Sequence, residues 1–328
     1  MMGKSTDSRE SPYKFNLREA RRHVEEKDKS PTSKVMTVEE AVRRFVANGL
    51  HVALGGCLYS RTPTAVIHEI IRQKLLNLTI SRSLTGMEAD LLLGASSLKR
   101  VVTSWWSVGY AWGISKMMRK FVEGNQVAFD EWSHLSLGLR YRAAAMGISF
   151  LPTVSMLGSD LARVNEVKEM TCPYTDEKLL LIPALYPDVG VIHAQRADKF
   201  GNVWIDGYEF MDQDIARAST HVIVTTEEIV DTEIFRKHPD RTSIPFFCVD
   251  AVVKLPFGSY PSECWNLYEA DFDHFSEFSR RVSESGIDGV RGYLSEYVLG
   301  CQSFENFLHK IGSTRLERQR RSMQDVIS

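Results

Sequence analysis

The sequence predicts an α/β fold, an open and mostly parallel sheet flanked by helices. Three observations predict it. Short apolar runs alternate with helix-patterned segments along most of the 328 residues, as strand–helix–strand units require. The runs are near-continuously apolar, as strands covered on both faces are. Between the first run and the helix after it lies ALGGCLYSRTP, Ala53 to Pro63, the kind of glycine-bearing turn that ends a strand at the ligand-binding edge of such a sheet.

The elements follow in order. Met36 to Ala47 is a helix, capped by Thr37, with Glu39 in its first turn and Asn48-Gly49 closing it. His51 to Leu54 is the first strand. After the glycine loop a helix runs from Pro63 to about Lys74, with Thr62 as its cap. Leu78 to Ser81 is a strand, Ala89 to Leu93 a short helix ending at Gly94, and Val101 to Ser104 a third strand. A helix from Ile114 to Glu123 ends at Gly124-Asn125, and a strand at Val127 to Phe129 runs into Asp130-Glu131. Ser136 to Met146 is helical and stops at Gly147. Further strands fall near Phe150, at Leu179 to Ile182, Val189 to His193 and His221 to Thr225, with a hairpin turn at Asp198 to Asn202. From Pro256 the chain turns aromatic, acidic and loop-rich. Three parts are expected: a flexible polar arm over 1–33, the main domain over 34–275, and a helical tail over 276–328 that packs on it.

Composition excludes several classes. Lys and Arg number 40 against 42 Asp and Glu, a formal net charge of -2, so nucleic acid and anionic membrane are not expected partners. No apolar stretch approaches the roughly 18 residues needed to span a bilayer. The N-terminus lacks the apolar core of a secretory signal, and its glutamates argue against a mitochondrial presequence. Cys57, Cys172, Cys248, Cys264 and Cys301 are odd in number and show no C-x-x-C spacing. Free thiols in a cytoplasmic protein, with no metal site, are expected.

Five stretches carry a resemblance: SKVMTVEEAVRRFVANGLHVALGG, RTPTAVIHEIIRQ, RAAAMGISFLPTVSMLGSDL, VGVIHAQRADKFGNV and CVDAVVKLPFGSYPSECWNLYEAD, between Ser33 and Asp271, with an echo at Ile311 to Leu316. Together they resemble the α subunits of the CoA-transferases that work through a glutamyl-CoA intermediate, and most of all the glutaconate CoA-transferase group. The resemblance implies the CoA-transferase/NagB-RpiA-like fold. It implies coenzyme A as a substrate, no permanently bound cofactor, and a β-type partner whose Glu is the nucleophile in a Glu-Asn-Gly-like setting. This chain has no such tripeptide; Glu305-Asn306 is followed by Phe307.

The resemblance also sets expectations residue by residue. Gly55 and Gly56 are expected to offer backbone amides to CoA or to an oxyanion. Gly158 and Ser159 resemble the family's second glycine loop, and Gly86 would line the same edge. Arg61 suits either a distal carboxylate or a CoA phosphate. Glu131 would orient substrate or act as a base, with His134 close enough in sequence to pair with it; a solvated pair, Asp130-Glu131, capping the next helix is the plainer alternative. His193 and Gln195 are candidate substrate contacts, although a histidine ending a buried strand is more often a satisfied core residue. Trp105, Trp106 and Trp112 suit an interface or pocket surface, Tyr260-Pro261 a rigid loop near the partner, and Cys57 packing. Two further readings remain open at this point. One is the α subunit of a ring-opening hydrolase of CoA thioesters, with Glu131 at its centre. The other is a non-catalytic CoA-binding or scaffolding subunit.

Overall fold

The computed structural model describes residues 17–109 and 111–327. The first part of the expected arm, residues 1–16, lies outside them. Helices α1 (Leu17–Glu26) and α2 (Val38–Phe45) precede β1 (His51–Leu54). Then follow α3 (Thr64–Arg72), β2 (Leu78–Thr85), α4 (Met87–Gly94), β3 (Leu98–Gly109), β4 (Gly113–Ile114), α5 (Lys116–Glu123), β5 (Ala128–Glu131) and α6 (His134–Ala145). Next come β6 (Phe150–Thr153), α7 (Asp160–Val164), β7 (Lys168–Thr171) and β8 (Lys178–Pro183). The chain returns through β9 (Val189–Asp198), β10 (Val203–Trp204), α8 (Asp212–Ala218), β11 (His221–Val230), α9 (Thr232–Lys237) and β12 (Ala251–Lys254). It ends in α10 (Phe272–Ser285), α11 (Ile287–Tyr293), which continues into a π-helical turn at Leu294–Val298, α12 (Phe304–Ile311) and α13 (Ser313–Ile327).

In the main sheet β12, β11, β9, β1, β2 and β3 lie side by side, with β5 on the far side of β3. All the pairings among these strands are parallel. The short β10 and β4 add antiparallel pairs to β9 and β3. The chain winds outward from β1 in one direction to β5, then restarts at β9 on the other side of β1. Strand order therefore reverses between β1 and β9, and a doubly wound sheet binds ligands in the crevice outside that point. β6, β8 and β7 form a separate antiparallel sheet.

Both faces of the main sheet are covered, which explains its apolar strands. One face packs Val52, Leu54, Ile80, Val189 and Val191 against α2, α3, α4, α10 and α11. The other packs Ala53, Ile192, Ala194 and Val224 against α6, α8 and the small sheet. A third cluster, around Tyr260, Phe304 and Phe307, seats the C-terminal helices against α3.

Several boundaries differ from the sequence expectation, each for a physical reason. Strands β2, β3 and β9 run past their apolar stretches into Arg82-Ser83, Trp105-Trp106 and His193-Gln195, because their buried polar side chains find partners inside the fold. Pro63 is the residue before α3, and Thr62 does not cap it; Thr62 Oγ1 bonds Leu58 O and Ser262 Oγ instead. Helix α1 falls within the expected arm, and Lys27 just after it meets Asp250 at 2.7 Å and donates to Cys248 O. The hairpin at Asp198 to Asn202 forms as read, with Asp198 Oδ1 accepting from the amides of Phe200, Gly201 and Asn202.

Candidate active site

The crevice beside β1 is built by two buried ion pairs. Arg61 leaves the glycine loop and turns inward. It meets Asp212 Oδ2 at 2.5 Å and donates to His193 O and Tyr208 O. Arg82 on β2 meets Glu88 Oε1 at 2.7 Å. It also donates to Gly55 O and Thr62 Oγ1, tying β2 to both ends of the loop. Arg61, Asp212, Arg82 and Glu88 are each at most 4% exposed. Such pairs cost much to desolvate, and removing one partner strands the other, so they fix geometry more than they add stability.

This framework corrects four expectations. The Gly55 amide donates to Val191 O, and the Gly56 amide to Asp212 Oδ1 at 2.7 Å. Neither is free to meet a ligand. The glycines are required for close approach: a Cβ on Gly55 would lie 2.7 Å from Asp212 Oδ1, and one on Gly56, at φ +64°, only 2.2 Å from Ser60 O. Arg61 is 1% exposed with its charge matched by Asp212, so it does not reach out to a carboxylate or phosphate. His193 and Gln195 are buried and satisfied. His193 bonds Thr225 Oγ1 at 2.8 Å and Glu227 Oε1 at 2.9 Å, and Gln195 donates to Asp206 O and Trp265 O. Gly158 and Ser159 follow β6, which belongs to the small sheet. They do not share an edge with Gly55, and Gly158 stands with open space around it.

The aromatic residues also sort differently. Trp106 is buried, its Nε1 donating to Asp90 Oδ1 at 3.0 Å, and Trp112 packs against the main core. Tyr260 is buried, with its hydroxyl donating to Asp271, and so is not a surface loop residue. Burial pushes the Cys57 thiol up, keeping it protonated, as a packing role requires.

Of the other expected residues, Glu131 and His134 face outward and Gly86 is buried. Gly86 follows β2, beside the loop, with Leu58 Cδ1 3.6 Å from where its Cβ would be. Its amide is also taken, by Glu88 Oε1. Glu131 ends β5 and is exposed, and among the described residues no hydrogen bond or ion pair holds its carboxylate. Its neighbour Asp130 is paired with Arg100 at 2.5 Å. His134 does not pair with Glu131. Its Nδ1 lies 2.7 Å from Ser83 Oγ and 3.5 Å from Ser104 Oγ.

Sequence reasoning missed Asp212, Glu263 and Ser83. Asp212 has no apolar run around it to mark its role. Glu263 lies against the loop, with its amide donating to Tyr59 O and its carbonyl accepting from Arg61 N. Partial burial raises its carboxyl, opposed by a hydrogen bond from Ser60. Inside the fold, His193, Glu227 and Cys264 place ligand-type atoms within 4.8 Å of one another. The Glu227 carboxylate already accepts from Tyr268 Oη and the Phe257 amide. Burial keeps the Cys264 thiol protonated. His193, Glu227, Tyr268 and the Phe257 amide thus form a hydrogen-bonded network that moors the 255–268 loop.

A sheet-edge crevice shaped by a glycine turn fits many enzymes, and likeness to known proteins decides among them. The family model described as Coenzyme A transferase matches residues 35–255. The chain belongs to the coenzyme A transferase family. It is 34% identical over 301 residues to the A subunit of glutaconate CoA-transferase from Acidaminococcus fermentans, covering 87% of this chain and 93% of that one. It is also 34% identical to the A subunit of 3-oxoadipate CoA-transferase from Pseudomonas knackmussii, covering 85% and 98%. The crystal structure of the Acidaminococcus fermentans glutaconate coenzyme A-transferase superposes with a TM-score of 0.83 at 33% identity, over 88% of this chain and 96% of the other. The open, mostly parallel sheet is thus a coenzyme A transferase fold, and the chain is an α-type subunit. Both of these relatives are A subunits. Among the described residues no helix is long and apolar enough to cross a membrane.

Proposed function

We propose that this chain, with a β-type partner, moves CoA between an acyl-CoA and a free carboxylic acid through a glutamyl-CoA intermediate. The observation that carries the proposal is the likeness to A subunits of CoA-transferases over almost the whole chain. The geometry supports it. The crevice is rigidly built, yet the loop's own amides and Arg61 are spent inside the fold. What remains outward is a carboxylate, Glu131, at an edge open to a second subunit.

In this reading the partner's Glu carboxylate attacks the thioester carbonyl. The tetrahedral adduct expels CoA thiolate and leaves an acyl-glutamyl anhydride. The thiolate then attacks the glutamyl carbonyl, which releases the first acid as its carboxylate and forms glutamyl-CoA. A second carboxylate reverses the sequence and departs as the new acyl-CoA. In this reading Glu131, exposed at the end of β5, orients substrate or acts as a base. With Arg61 turned inward, nothing at this position selects a dicarboxylate, so the acyl class stays outside the proposal.

The test is to co-purify the chain with its β-type partner, incubate with acyl-CoA substrates, and treat with borohydride or hydroxylamine. Mass spectrometry then maps any modified carboxylate. A modified Glu on the partner is the expected result. An unmodified partner, with ring-opened acids still attached to CoA, would move the assignment to the hydrolase reading and to Glu131. Bound CoA with neither reaction would leave a binding subunit.

A further inference from the structure

We propose that His134 is a substrate-contacting residue whose Nε2–H donates a hydrogen bond to the oxygen of the thioester carbonyl or of the incoming carboxylate. The inference deepens the transferase reading and rests on it.

His134 opens α6, three residues after Glu131 ends β5, and it is exposed. One nitrogen is anchored. Nδ1 lies 2.7 Å from Ser83 Oγ, and Ser83 is 3% exposed. Among the described residues Ser83 Oγ has no other partner, so its proton goes to Nδ1. Ser104 Oγ, 3.5 Å from the same nitrogen, spends its own proton on Ser83 O at 2.6 Å. With Nδ1 accepting, the neutral ring must carry its hydrogen on Nε2. In the charged ring both nitrogens are protonated. Nε2 is therefore a donor in either state, and no group among the described residues accepts from it.

The strand that anchors it is tied to the glycine loop by the same framework. Ser83 stands between Arg82, which donates to Gly55 O, and Leu84, whose carbonyl accepts from Leu58 N in the glycine loop. A buried hydroxyl thus holds an exposed imidazole at a set angle on the edge that the partner must cover. A fixed donor aimed at a developing oxyanion stabilises it without reorganisation. This assigns to a side chain the role that the Gly55 and Gly56 amides cannot fill. Ser83 is the positioning residue.

The experiment uses the complex with its β-type partner, the histidines labelled with 13C and 15N. NMR reads the tautomer of His134, its signals identified by their loss in His134→Gln. The Nε2–H form is expected, and Ser83→Ala should raise the Nδ1–H fraction. An Nδ1–H ring in the wild type overturns the proposal whatever the activity. The kinetic arm follows the acyl-CoA that the wild-type complex turns over, drawn from acetyl-, glutaryl- and benzoyl-CoA. His134→Ala should lower kcat/KM by about 100-fold. His134→Gln, whose amide can accept from Ser83 and donate outward, should stay within about tenfold of wild type, and Ser83→Ala should lose about tenfold. An alanine variant within threefold of wild type, its complex intact, overturns the proposal. Failure of the transferase reading shows separately, as an unmodified partner Glu in the wild type.

Discussion

Asp90 shows how a single buried group ties stability to pH. Its carboxylate lies under the β3–β4 hairpin, with Oδ1 accepting from Trp106 Nε1 at 3.0 Å and Ser115 Oγ at 2.7 Å. Burial raises its pKa from 3.8 to about 7, against those two hydrogen bonds. The sign follows from linkage. Above its ordinary pKa the unfolded chain gives up the proton that the folded chain keeps. Stability therefore falls as pH rises from about 4 to about 7, then levels off. Asp90→Asn keeps an oxygen to accept both bonds and removes the ionisation. Its melting temperature should exceed that of the wild type by several degrees above about pH 8, with the gap closing toward about pH 4. A gap unchanged across that range in thermal melts would show that Asp90 ionisation is not the cause. His134 is the contrasting case, where an exposed ring gains its meaning from the buried Ser83 hydroxyl beneath it.

At the scale of the element, the glycine loop and the Gly158 loop look alike in sequence and differ in physics. Gly55→Ala would place a methyl 2.7 Å from Asp212 Oδ1. Relief requires Asp212 to move, which breaks its bonds to the Gly56 amide and to Arg61. Losing a buried pair of this kind costs about 3–5 kcal/mol. Gly158→Ala meets nothing within 4 Å, and only its φ of +73° resists, a cost of about 1–2 kcal/mol. Urea melts of the two variants should separate them by that margin. Equal losses would mean that the Asp212 contact does not hold the loop. The same contrast shows what the sequence disclosed. The strand–helix alternation, the hairpin at Asp198 and the turn at Gly55-Gly56 could be read because apolar period and glycine mark them locally. Helix α8, which carries Asp212, could not. It is short, polar at its start, and meaningful only through Arg61, 151 residues away in sequence. His193 and Gln195 misled for the same reason, since their partners on β11 and in the loops near Asp206 and Trp265 come together only in the fold.

At the scale of the whole molecule, the open question is where the partner sits. For one subunit's carboxylate to attack a thioester held against the other, the reacting atoms must come within roughly 3–3.5 Å. On the proposed mechanism, with Glu131 and His134 at the reacting atoms, the partner covers the edge that carries them. That edge is apolar where it should be. Leu135, in the first turn of α6, is 58% exposed; Val154, Leu157 and Val164, along the segment that enters and crosses α7, are 61%, 37% and 68% exposed. Asn165, at the end of α7, donates to Glu131 O at 2.7 Å and ties the two segments together. Exposed apolar residues gathered around a functional edge mark a protein interface. Leu157→Asp combined with Val164→Asp should weaken association with the β-type partner by at least about tenfold, since losing the burial of two methylene groups, at about 0.8 kcal/mol each, already exceeds the roughly 1.4 kcal/mol that a tenfold change requires. The melting temperature of the chain alone should hardly move, because neither side chain is buried in it. Leu76, 41% exposed just before β2 begins and so on the opposite edge of the sheet, supplies the control: Leu76→Asp should leave association unchanged. Calorimetric titration of partner into each variant reads the difference directly. If the Leu76 variant weakens binding and the double variant does not, the partner covers the other edge, and Glu131 and His134 lose their claim on the reaction together.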